Sequence, residues 1–128
     1  VFISLVAKTK NQIVGHIIFT LAYTQQKHKK DIIGMGLAPL AVLSQFQGQR
    51  IGSALCFAGL TKIESEGYPF VVVNGHPGYY PRFGFESAQK FGIETTYKDI
   101  PDDDFMIRVF KPEALKNVAR VVHYRPEF

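Results

Sequence analysis

The clearest chemistry in this chain lies in Ser44-Gln45-Phe46-Gln47-Gly48-Gln49-Arg50-Ile51-Gly52-Ser53. A strand-like run leads into it and a helical period follows, so the first helical N–H groups fall in this segment. Those groups have no partner in the chain, and the helix dipole adds partial positive charge, which together make an anion site. Gly48 and Gly52 let backbone approach a phosphate closely, and Arg50 supplies a permanent cation. The Gly-Lys-Ser/Thr ending of a Walker loop is absent, and so is the Gly-x-Gly-x-x-Gly of dinucleotide folds. A glycine turn used for tight helix–strand packing explains the same residues. Further along, His76 sits in the turn Gly75-His76-Pro77-Gly78, and histidine is the residue type most often used as a general base. A turn histidine bonded to backbone accounts for it equally.

The elements around these groups follow from periodicity. Phe2 to Ala7 and Ile13 to Tyr23 read as strands of an antiparallel hairpin joined by a polar turn. Asp31 to Leu43 is a third strand carrying Gly34, Gly36 and Pro39. Proline cannot donate to a ladder, so a bulge is expected at Pro39, leaving backbone groups free for a ligand. From Gln49 the period becomes helical through Ile51, Leu55, Ala58 and Ile63, with Gly67 as the stop. Pro69 to Val73 is a short, wholly apolar strand of the buried kind, completing a βαβ unit. Tyr79 to Phe83 reads as a short helix, Phe91 to Tyr97 and Phe105 to Phe110 as strands. Glu113 to Asn117 reads as a helical turn and Val118 to Tyr124 as a last strand. The whole predicts one α/β (α+β) domain over residues 1–128.

Composition narrows the function classes. The 128 residues are 46% hydrophobic, enough for one core without metals or disulfides, and Cys56 is the single cysteine. Inside an apolar helix Cys56 reads as a packed thiol. No apolar run approaches the ~20 residues that cross a bilayer, and no secretion signal opens the chain, so a cytoplasmic location is expected. The net charge of +4 suits a polyanionic partner. The dense basic run Lys27-His28-Lys29-Lys30 lacks interleaved aromatics and reads as a solvated hairpin tip, so no nucleic-acid partner is expected. His16, His28, His76 and His123 are scattered, and Asp102-Asp103-Asp104 lacks calcium-loop spacing, so no metal site is expected.

Leu37 through Leu55 resembles the acetyl-CoA motif of the GNAT N-acetyltransferases, whose pattern is Gln/Arg-x-x-Gly-x-Gly/Ala. Gln47 and Gly52 match its ends, while Arg50 stands where the first glycine is usual. His76-Pro77-Gly78-Tyr79-Tyr80-Pro81-Arg82-Phe83-Gly84-Phe85 is similar to the Tyr-x-x-x-Gly-Phe ending of the same superfamily, in the form found in its YhbS-like branch. Phe105-Met106-Ile107, Pro112-Glu113-Ala114-Leu115 and Tyr124-Arg125-Pro126-Glu127-Phe128 extend that resemblance to the tail.

The resemblance implies a mixed, mostly antiparallel sheet flanked by helices and splayed at the acetyl-CoA site. Pantetheine would pair with backbone of Leu40, Ala41 and Val42. The pyrophosphate would sit on Gln47, Gly48, Gln49, Arg50, Ile51, Gly52 and Ser53, with Phe83 beside the cofactor. Acetyl would pass directly to a primary amine on a small molecule or peptide, with Tyr80 protonating the leaving thiolate and N–H groups near Val42 holding the oxyanion. Relatives often place a glutamate base on the third strand, but Ile32 to Gly36 holds no carboxylate, which leaves His76 or ordered water. The family's opening strand and two helices have no counterpart ahead of Val1. A non-catalytic acyl-CoA-binding or sensing module is the alternative, and a monomer or a homodimer fits either reading.

Overall fold

The computed structural model describes residues 2–24, 31–95, 104–116 and 121–124. The basic run 27–30, Tyr97, Asp102, Asp103 and the tail from Arg125 lie outside them. Eight strands form one sheet: β1 Phe2–Thr9, β2 Gln12–Thr24, β3 Ile32–Val42, β4 Phe70–Asn74, β5 Glu86–Ser87, β6 Glu94–Thr95, β7 Phe105–Val109 and β8 Val121–Tyr124. The order is β5-β7-β4-β3-β2-β8-β6, with β1 also on β2. Among the described residues only β3–β4 and β6–β8 are parallel, so the sheet is mixed and mostly antiparallel as expected. One α-helix, α1 (Ile51–Ser65), connects β3 to β4. It ends before Gly67, whose φ of +91° is the left-handed conformation expected of the stop.

Alternation along the strands sorts side chains into two cores. Ile17 and Phe19 of β2, Met35 and Leu37 of β3, and Val71 and Val73 of β4 pack beneath Leu55, Cys56, Leu60 and Ile63 of α1. On the opposite face Ala22, Phe70 and Val72 meet Ala88, Ile93, Phe105, Ile107 and Val122. Phe70 to Val73 are therefore buried on both faces, which is why β4 reads as a continuous apolar run. Burial of each such side chain contributes about 1.5–3 kcal/mol.

Two features of β3 position the site. Its register against β2 slips between Ile17 and Phe19, where Ala38 and Pro39 stand opposite Ile18 alone, so the bulge falls at the proline. Its parallel pairing with β4 runs only from Met35↔Val71 to Leu37↔Val73. Past that point β3 continues to Val42 with β2 on one edge and, among the described residues, no strand on the other.

The second half departs from the sequence reading. Phe91 ends a 3-10 turn (Ala88–Phe91) rather than starting a strand, and Glu94–Thr95 alone pair in that region. Gly92, in the left-handed conformation at φ +70°, turns the chain between them. Pro112–Leu115 is likewise a single 3-10 turn, its proline fixing the start.

Candidate functional site

The gap between the free edge of β3 and the end of β4 leads to a cavity of about 450 Å³. Leu40 and Val42 form its β3 wall. Phe46, Gln47, Gly48, Arg50, Ile51, Gly52 and Ser53 form its base, and Tyr79 and Arg82 close the far side. Alternation decides the strand contribution: Ala41 projects to the other face, into a hollow with His16 and Leu43. Gln49 is exposed, and Phe83 is buried in the core beneath α1. Neither lines the cavity.

The loop at the base is held by local bonds. The Gln47 side-chain amide donates to the Val42 carbonyl at 3.0 Å, tying the loop to the strand it leaves. Arg50 occupies the position before α1 with φ +63°, in the left-handed region. A glycine reaches that conformation without cost, which gives a physical reason for glycine there in relatives. The Arg50 carbonyl accepts the Ala54 N–H at 3.0 Å, the first bond of the helix, leaving the N–H groups of residues 51–53 unused by it.

The other wall is the turn after β4. His76 begins it: its carbonyl accepts the Tyr79 N–H at 3.0 Å, and its Nδ1 accepts the Gly78 N–H at 3.0 Å. The ring is thus engaged in the turn, exposed, and outside the cavity lining. A 3-10 turn, Tyr80–Phe83, follows. The Arg108 guanidinium of β7 donates to the Phe83 carbonyl and clamps this turn to the sheet.

The adjacent tyrosines go to different places. Tyr79 lines the cavity with its hydroxyl against α1: a Cβ at Gly52 would lie 3.0 Å from that oxygen, and Ser53 also lines the cavity beside it. Burial raises the Tyr79 phenol, assisted by Cys56, while Ser53 and Arg82 oppose the rise. Tyr80 lays its ring on Gly75 at the end of β4, where any Cβ would strike it, and packs edge-on against Phe85. Burial, with Cys56 and Tyr79 adding to it, pushes the Tyr80 phenol up to about 12. Gly75 is two residues beyond Val73, where the β3–β4 pairing ends, so Tyr80 packs beside the apex of the gap but outside the cavity lining, while Tyr79 lines the cavity at its helix end. Cys56 is buried and its thiol is pushed up to about 11, as expected of a packed thiol.

Sequence reasoning overlooked Phe46 and Arg82 as cavity residues and set Tyr80 ahead of Tyr79. The i, i+3 spacing of Tyr79 and Arg82 in a three-residue-per-turn helix was the available signal. Among the described residues no group of three His, Cys, Asp or Glu side chains gathers as for a metal, and no helix is long and apolar enough to cross a membrane.

A βαβ unit whose parallel pairing opens beside a helix N-terminus defines a class. The family profile described as the acetyltransferase (GNAT) domain matches residues 2–87, and the chain belongs to that family. It is 30% identical over 119 residues to the N-acetyltransferase YhbS of Escherichia coli K12, covering 93% of this chain and 69% of that protein. The same organism's N-acetyltransferase YjhQ is 39% identical over 84 residues, 66% of this chain and 46% of that one. The solved structure of Escherichia coli YhbS in complex with CoA superposes with a TM-score of 0.83 at 30% identity, over 95% of this chain and 66% of that one. A Brucella melitensis GNAT acetyltransferase in complex with acetyl-CoA gives 0.72 at 30% identity, over 96% and 66%. The chain thus spans about two thirds of the length of YhbS and of the Brucella protein, and just under half of YjhQ.

Proposed function

We propose that this protein transfers the acetyl group of acetyl-CoA directly to a primary amine on a small molecule or peptide. The observation that carries the reading is the open edge of β3 from Ala38 to Val42, which runs into the cavity at the start of α1. Pantetheine is an extended chain with two amides, and a free strand edge offers it the partners that β4 gives up. Its diphosphate end would meet the amides and Arg50, and the two solved relatives are complexes with CoA and acetyl-CoA.

In this reading the neutral amine attacks the thioester carbonyl carbon, the C–N bond forms, and the C–S bond breaks. N–H groups of the free β3 edge face the developing oxyanion. The amine proton goes to solvent. Tyr80, beside the apex, donates a hydrogen bond to the leaving sulfur. With its phenol at about 12, full transfer to a thiol-type sulfur of pKa ~8.5 is uphill, so Tyr80 stabilises the thiolate and water supplies the final proton. Cys56 has no part as nucleophile, being packed under α1.

Calorimetric titration with acetyl-CoA, followed by thiol release against a panel of amines, tests this. Saturable binding and acceptor-dependent thiol release are expected. Binding without release for any amine would leave a CoA-binding module, and absence of binding at millimolar acetyl-CoA would overturn both readings.

A further inference from the structure

The cavity lining contains two guanidinium groups, Arg50 and Arg82, and no carboxylate. Neither makes an ion pair among the described residues, where the Lys90–Glu86 pair is the one formed. Two uncompensated cations in one cavity fit a ligand with at least two negative groups.

The two arginines come from opposite walls. Arg50 precedes the first turn of α1, beside the unused N–H groups. Arg82 is held elsewhere: its Nε donates to the Tyr79 carbonyl at 2.9 Å, and its guanidinium carbon stands 4.6 Å from the centre of the Tyr79 ring. The tether and the stacking restrain an otherwise flexible side chain, while Nη1 and Nη2 keep donors for a ligand. Nη2 makes only a long 3.5 Å contact to the Gly78 carbonyl. Between the arginines lies Tyr79, with its hydroxyl against Gly52 and Ser53 and its ring face under Arg82. The Tyr79 ring thus stands between Arg82, which is stacked on its face, and the start of α1, which its hydroxyl approaches.

We propose that Arg82 binds a phosphate monoester distinct from the diphosphate at α1, namely the 3′-phosphate of the CoA nucleotide. It thereby sets a preference for CoA over 3′-dephospho-CoA. This rests on the acetyl-CoA reading above and adds a residue that determines which form of the cofactor is taken. Planar, bidentate donors suit a phosphate monoester better than a lysine point charge does.

The test is calorimetric titration of the whole chain with CoA and with 3′-dephospho-CoA at one fixed ionic strength. Wild type is expected to favour CoA about tenfold. Arg82→Gln abolishes that preference and leaves 3′-dephospho-CoA affinity within about twofold, whereas Arg50→Gln weakens both ligands alike. Equal wild-type affinities overturn the proposal without recourse to any variant. So does an equal loss of both ligands in an Arg82→Gln protein whose thermal melt shows it folded, since Arg82 then serves the diphosphate. Failure of wild type to bind either ligand overturns the acetyl-CoA reading itself, a result separable from loss of the preference alone.

Discussion

The two halves of β3 have the same strand geometry and opposite fates. Residues 32–37 are flanked by β2 on one edge, with β4 joining along the other at Met35 to Leu37, and Gly34 lets Phe70 close over them. Residues 38–42 keep β2 and lose β4, and the side chains of Leu40 and Val42 line the cavity. The first half is core and the second is site. The difference begins at the Ala38–Pro39 bulge, directly after the last β3–β4 pair at Leu37: the β2 ladder resumes at Leu40, and β4 does not rejoin. A strand can thus supply stability and a binding edge from one continuous run, provided the ladder is interrupted between them.

The comparison breaks most readily at Gly34. A Cβ there would lie 2.6 Å from the Phe70 carbonyl oxygen and 2.7 Å from its ring carbons. Gly34→Val is expected to cost about 3 kcal/mol or more, by urea denaturation. Leu40→Ala, in the open half, should cost about 1 kcal/mol while weakening acetyl-CoA binding several-fold. Comparable stability losses for the two variants would erase the distinction between the halves.

The tyrosines extend the contrast to the facing wall. Tyr80→Phe is expected to lower kcat roughly 10–100-fold with little change in acetyl-CoA affinity, and Tyr79→Phe to do the reverse at about threefold. A larger kcat loss in Tyr79→Phe would exchange their roles. A hydrogen-bond donor works while protonated, so raising the Tyr80 phenol to about 12 carries its working range upward. The rate should rise with pH as the acceptor amine becomes neutral, with no descending limb until pH approaches 12. A descent centred near pH 10 would show a solvated Tyr80.

The smallest effect is expected at Arg50. Arg50→Gly relieves the left-handed conformation but frees the unfolded chain, so stability should shift by no more than about 1 kcal/mol. Acetyl-CoA affinity should fall a few-fold through loss of the cation, as calorimetry would register.

Much of this was legible along the chain because it depends on neighbours in sequence. Pro39 announced the bulge, the change of period after Gln49 announced α1, and the apolar run ending at Val73 announced a strand buried on both faces. The glycines and Arg50 ahead of α1 located the cavity base for the same reason, since helix N–H groups are unpaired wherever a helix starts. Periodicity failed between Phe91 and Thr95, where β-rich composition met a 3-10 turn and a left-handed glycine, and packing against Ala88 and Ile93 decided the path.

Only the tertiary structure separated Tyr79 from Tyr80. Both are tyrosines, adjacent in sequence, and the seat of each is set by a glycine far away along the chain or across the turn: Gly52 of α1 for one hydroxyl, Gly75 for the other ring. Arg82 became a cavity residue through its stacking on Tyr79 and through Arg108 fastening the turn to β7, just as Tyr80 is seated by Gly75, the residue after β4. The sequence by itself determined that a strand would break open next to a helix start. Which side chains face that opening was decided by close packing, because the space left by a missing Cβ exists only once the elements have met.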